Sequence, residues 1–346
     1  MGTRRGFSSP YLLLMVTMVL WGSAFSSSKS VVEHLPHSVA ALLRFGGGAV
    51  ALLIAVQLFG KRGASVGVRN GWRAALAGVL GVFAYNSFFF WGLSLAPSLD
   101  GGILIPVMTP VLTSAFLLVV GKERASPGRL AGLGLGLVGA VIFFLGAGGS
   151  SAGDSTRLAG DALFLLSAVC WAAFTLAGPR VLAGIEPLRA TTYATCAGAV
   201  LLGVLAAPEL DSVRWSELPA GVWLNTAYLA LGAAAVANLL YYRGVGAVGP
   251  ANASLMMFCV PVVNTVCATV ILGESFGALQ GAGALVLLTG AVLAVTQGRW
   301  PRRTKAADDG SGPVDRPEYE AGSVPISHET ATADDDAGLN RELPNS

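Results

Sequence analysis

The side chains of this chain that could hold a small molecule sit inside apolar stretches, and they come in pairs. Ser87, Phe90 and Trp91 stand at i, i+3 and i+4, on one face of a helix. At a spacing of 151 residues they are matched by Asn238, Tyr241 and Tyr242. Each set joins one small polar group to two rings, the make-up of a mostly apolar pocket with a few orienting hydrogen bonds. The same rings would also suit a belt at a membrane interface, Trp91 and Tyr242 above all, since both stand near helix ends.

Other candidates follow the same duplication. Thr113 and Asn264 each lie three residues after a paired proline, Pro110 or Pro261. A proline inside a helix frees a carbonyl from its bond, so these positions read either as cavity-facing breaks that serve gating or as fixed kinks. Trp21 and Trp171 match at a spacing of 150, one residue off the later register, and could wall a cavity from both sides or simply pack a core.

Two cations fall within or beside apolar segments. Arg44 lies about two turns into one of them with no Asp or Glu at matching depth. An unpaired guanidinium there could bond carbonyls, reach outward, or hold an anionic group of a substrate. Lys29 has Glu33 at i+4 and is expected to pair with it. The carboxylates weighed against these segments are Asp100, near the start of one, and Glu123 and Glu274, at the ends of two others. That placement disfavours an antiporter in which a proton and a lipophilic cation compete for a mid-membrane acid.

Catalysis finds little support. The histidines are His34, His37 and His328, two in a loop and one near the C-terminus, and no metal-ligand spacing or glycine-rich phosphate loop occurs. Cys170, Cys196, Cys259 and Cys267 lie in apolar segments and read as small buried hydrophobes. Neither an enzyme, a metal nor a cofactor is expected, and no nucleic-acid partner.

The elements that position these residues must be membrane helices. Of 346 residues, 53% are hydrophobic and 12% charged, and the mean hydropathy is +0.65, too little polar surface for a soluble domain. Segments near the 20 residues that cross a bilayer fall at 11–31, 38–59, 73–94, 99–120, 129–147, 159–179, 189–207, 221–242, 251–272 and 278–297. The expected fold is therefore an all-α integral membrane protein of ten transmembrane helices. With the N-terminus inside, 16 Lys and Arg flank the inner ends and 3 the outer ones, which puts both termini in the cytoplasm. Arg4-Arg5 ahead of the first segment resembles a twin-arginine signal, but nine further segments make a retained anchor helix the simpler expectation.

The two halves repeat each other. Pro110-Val111, Glu123 and Gly139-Ala140-Val141 fall on Pro261-Val262, Glu274 and Gly290-Ala291-Val292 at a constant shift of 151. Five helices per copy is an odd number, so the second copy enters the membrane from the opposite side. Such inverted repeats underlie many secondary transporters that work by alternating access. The expected divisions are a cytoplasmic N-terminus at 1–10, one repeat at 11–147, the other at 159–297, and a disordered acidic tail at 298–346. Residues 301–346 carry 10 Asp and Glu against 5 Lys and Arg.

With Trp21-Gly22-Ser23-Ala24-Phe25 and Lys29 in the first helix, Leu43-Arg44-Phe45 in the second, and the paired Pro-to-Glu-to-Gly-Ala-Val units, the chain resembles the drug/metabolite transporter superfamily in its EamA-like ten-helix branch. The resemblance covers about residues 11–297. It implies ten helices, cytoplasmic termini, a central cavity and movement of small metabolites, often outward. The expected function is secondary transport, by export or exchange, of a small anionic or zwitterionic metabolite such as an amino acid across the plasma membrane. The alternatives are a proton-coupled efflux pump for lipophilic drugs and a membrane scaffold acting through its tail. The expected partners are the substrate and the bilayer. Gly128, Gly132, Gly136 and Gly139 in helix 5, with Gly277 and Gly281 in helix 10, allow close helix approach, within the chain or in a homodimer.

Overall fold

A computed structural model describes residues 10–59, 67–120, 126–147, 154–181, 184–248, 256–275 and 277–296. The expectations for the N-terminal segment, the acidic tail and Glu123 fall outside them. The described residues form helices without strands, as they must where only lipid surrounds the backbone and every N–H and C=O needs a partner within the protein.

Ten helices follow in order: α1 Pro10–Val32, α2 His37–Phe59, α3 Val68–Leu95, α4 Ser98–Val119, α5 Pro127–Ala147, α6 Asp154–Val181, α7 Pro187–Ala206, α8 from Ala220 to Val248, α9 Cys259–Ile271 and α10 Ala278–Thr296. Seven are long and apolar enough to span a bilayer, and α5, α9 and α10 hold shorter apolar stretches. Large apolar side chains such as Leu137, Val200 and Val266 stand exposed on the outside of the bundle, where lipid covers them. The four cysteines are half-buried rather than buried and form no disulfide.

Helices α3 and α8 share a feature that periodicity does not signal. Each is interrupted by a π-helical segment, Val79–Ala84 in α3 and Tyr228–Val236 in α8. Wide turns of this kind leave carbonyls available to other partners and recur at functional sites. A second departure lies at the start of α6, which begins at Asp154, five residues earlier than the apolar count suggests. Arg157 and Asp161 thereby stand one turn apart on a helix instead of at its mouth.

Packing exchanges elements between the repeats in a two-fold pattern. Helix α1 packs on α8 and α9 as α6 packs on α3 and α4, and α2 lies on α8 as α7 lies on α3. Helices α2 and α7, α4 and α9, and α5 and α10 meet their own counterparts across the axis. The α5–α10 contact is a seam of glycines. A Cβ on Gly132 would meet the backbone of Ala294, on Gly139 that of Leu287, on Gly283 that of Phe143, and on Gly290 that of Gly136. Gly132, Gly136 and Gly139 of the glycines singled out in α5 thus pack within the chain against α10, whereas a Cβ on Gly277 would meet nothing within 4 Å.

Candidate functional site

A cavity of about 740 Å³ lies between the repeats. The two π segments face into it through Gly81 and Val82 on α3 and Ala233 and Ala234 on α8. One turn further on, Asn86 donates to the Val82 carbonyl at 2.7 Å and Asn238 to the Ala234 carbonyl at 2.6 Å. Both asparagines, with Phe89 and Tyr241 three residues later, line the cavity. These matches stand 152 positions apart, one more than in α4 and α9.

The tryptophans wall it from either repeat. Trp21 donates Nε1–H to the carbonyl of Ala233 at 3.2 Å, inside the π segment, and its ring lies 4.9 Å from that of Tyr241. Trp171 lies 5.1 Å from Tyr85 and 5.4 Å from Phe174. Pro106, Pro110 and Thr113 of α4, Met257 just before α9 and Val260 within it complete the middle of the wall.

Arg44 lines the cavity from α2. Its Nη1 donates to Ser28 at 3.3 Å, and its guanidinium carbon lies 5.1, 5.7 and 5.9 Å from the ring centres of Phe45, Phe89 and Phe90. No carboxylate pairs with it among the described residues, and its Nε is buried without a hydrogen-bond partner. An arrangement of one incompletely bonded guanidinium among rings can take the carboxylate of an incoming molecule.

The cavity extends towards one end of the bundle, its lining reaching Leu117, Arg129, Thr175 and Thr191. The other end is closed by polar contacts. Gly273, with φ of 66°, turns the chain after α9 and brings the Glu274 carboxylate onto the first turn of α4. There it accepts from Ser98 N–H at 2.8 Å, Ser98 Oγ at 3.0 Å and Leu99 N–H at 2.8 Å. Pro97 offers that helix no side-chain cap, so Glu274 satisfies orphan donors at the positive end of the helix dipole. Asn264 donates to the carbonyls of Ser98 at 3.2 Å and Leu99 at 3.5 Å. Lys29 turns away from Glu33 and donates to the carbonyls of Leu93 and Ala96 at the end of α3, at 2.8 and 3.1 Å, where unsatisfied acceptors and the dipole both favour a cation.

Of the residues singled out by spacing, the structure brings Trp21, Arg44, Pro110, Thr113, Trp171, Asn238 and Tyr241 to the cavity. It does not bring the others. Ser87 bonds back to the carbonyl of Phe83, Phe90 is fully buried, and Trp91 is 46% exposed on the outer face, stacked on His37. Asn264 is buried in the closed end, Pro261 is buried near the start of α9 without lining the cavity, and the side chain of Tyr242 lies outside the described residues. Spacing missed Phe25, Phe45, Tyr85, Asn86 and Phe89; a shift of 152 would have aligned Asn86 and Phe89 with Asn238 and Tyr241. It also missed Asp161, which is fully buried on α6.

The EamA-like transporter family model matches residues 8–145 and 158–296, one copy per repeat. The chain belongs to the EamA-like transporter family. It is therefore a multi-pass membrane transporter. It is 26% identical over 285 residues to YyaM, an uncharacterized transporter of Bacillus subtilis, covering 82% of this chain and 92% of that one. It is 27% identical over 296 residues to the aromatic amino acid exporter YddG of Ancylobacter novellus, covering 84% and 99%. It is 27% identical over 301 residues to a probable terminal-alkyne amino-acid exporter of Streptantibioticus cattleyicolor, covering 86% and 96%. A solved crystal structure shares the fold with a TM-score of 0.59 at 23% identity, covering 84% of this chain and 98% of that one.

Proposed function

We propose that this transporter moves a zwitterionic or anionic metabolite, foremost an amino acid with a large apolar side chain, across the plasma membrane by alternating access. The observation that carries this reading is Arg44: a guanidinium with a buried, unbonded Nε on the wall of an aromatic cavity. Its charge suits a carboxylate, and the rings of Trp21, Phe25, Tyr85, Phe89 and Tyr241 suit an apolar side chain. The volume falls within the range of about 300–1,000 Å³ usual for small-molecule sites. Two relatives named as amino-acid exporters agree with it. The cytoplasmic face is the one towards which the cavity extends, by the bias of Lys and Arg, and substrate would load there for export.

The test is counterflow in proteoliposomes with labelled phenylalanine, tryptophan and aspartate, and with a lipophilic cation as comparison. Wild type is expected to exchange an aromatic amino acid. Arg44→Gln is expected to weaken that exchange by about 10- to 100-fold, the worth of charge-assisted hydrogen bonds at about 1.5–3 kcal/mol. Exchange confined to the lipophilic cation, indifferent to Arg44→Gln, would overturn the reading.

A further inference from the structure

At the closed end, α4, α6 and α10 meet around two carboxylates, away from the cavity. Asp100, the third residue of α4, is fully buried and accepts from Arg157 Nε at 2.7 Å, Arg157 Nη2 at 2.9 Å and Gln280 Nε2 at 2.7 Å. Asp161, one turn beyond Arg157 on α6, is also fully buried. Neither of its oxygens receives a hydrogen bond from a donor in the described residues, and its carboxyl group lies within hydrogen-bonding reach of that of Asp100.

The charges do not balance if both acids are ionised. Arg157 is engaged in a two-pronged bond to Asp100. Of the neighbouring charges, Glu274 caps α4 and its carboxylate also acts on Arg157, adding a third negative charge around that one guanidinium, while Lys29 holds the carbonyls at the end of α3. A second buried carboxylate beside the first would be both desolvated and repelled. Asp100 has room for about four donors and three are supplied, which leaves one acceptor position open beside Asp161. A protonated Asp161 fills it with its O–H.

We propose that Asp161 is a proton-binding site that holds one proton, donated to Asp100, whenever this end of the transporter is closed. Opening this end hydrates Asp161, which then ionises, repels Asp100 and draws on Arg157 at i−4. Proton release therefore accompanies opening on this side, and acid on this side holds it shut. The proposal is independent of which substrate Arg44 binds, so its failure leaves the preceding reading intact.

The full-length protein in lipid would be titrated by infrared difference spectroscopy, following the C=O stretch of a protonated carboxyl. A band present at neutral pH, lost on alkalinisation and missing from Asp161→Asn, is the expected result. Asp100→Asn is expected to lose the band too, because Arg157 is then released to pair with an ionised Asp161. Gating would be read from Leu99→Cys, buried in the closed end, labelled by an impermeant thiol reagent on a background without the native cysteines. Labelling should rise several-fold with pH on that side and become flat in Asp161→Asn. A wild type without the neutral-pH band, or a band unchanged in Asp161→Asn, overturns the proton site. Labelling that rises with pH equally in both forms overturns its link to gating.

Discussion

Thr113 and Asn264 are equivalent by duplication and live in opposite circumstances. Thr113 bonds within its own helix, to Thr109 at 2.8 Å, and faces the cavity. Asn264 reaches across to α4 and is sealed from solvent, its amide resting against Gly102, where a Cβ would collide with it. The two stretches share the Pro-Val pair and its register but few other residues, and the two positions differ both in side chain and in which end of the bundle is closed around them. A two-fold structure that serves both sides must break its own symmetry in any one state. On the alternating-access reading proposed above, the contacts at the closed end are those that the opposite state gives up.

The comparison can be broken most severely at Asp100 and Arg157. Arg157→Met strands a buried carboxylate, and removing one partner of such a pair costs about 3–5 kcal/mol. The expected outcome is a marked fall in the folded fraction after heating in detergent, followed by size exclusion. Glu274→Ala comes next, removing a charged acceptor from the first turn of α4 at about 1.5–3 kcal/mol. Hydrogen exchange at Ser98 and Leu99 should accelerate, while amides of α5 and α10 keep their protection. The smallest effects sharpen the contrast between the two equivalents. Asn264→Ala should cost about 1 kcal/mol and raise access to the closed end. Thr113→Val should stay within about 0.5 kcal/mol in stability, any change appearing in transport instead. Equal effects of these two substitutions would remove the asymmetry.

Much of this was legible in the chain. Ten apolar segments, the repeated Pro-to-Glu unit and the glycines of α5 and α10 are written directly in residue type and spacing. What failed did so for local reasons. The register of 151, correct for Pro110 and Pro261, was carried back into α3 and α8, where cavity-facing residues correspond at 152. It therefore selected Ser87 and Phe90 in place of Asn86 and Phe89. The π segments leave no mark in hydropathy, since they change which carbonyl a given N–H meets and not which residues are apolar. Arg157 looked like an ordinary flanking charge because α6 was begun at residue 159, and Asp161, third in that segment, passed for part of its mouth. The added turn from Asp154 brings Arg157 into the same helix and onto Asp100.

The glycine seam between α5 and α10 has a mechanical consequence. Where backbones touch with no side chains between them, no flexible atoms remain to fill a gap if the helices part. Gly132, Gly139, Gly283 and Gly290 thus join the last helices of the two repeats into a keel. On the transport cycle proposed above, the remaining helices tilt against that keel and exchange partners at either end, while the keel itself stays still.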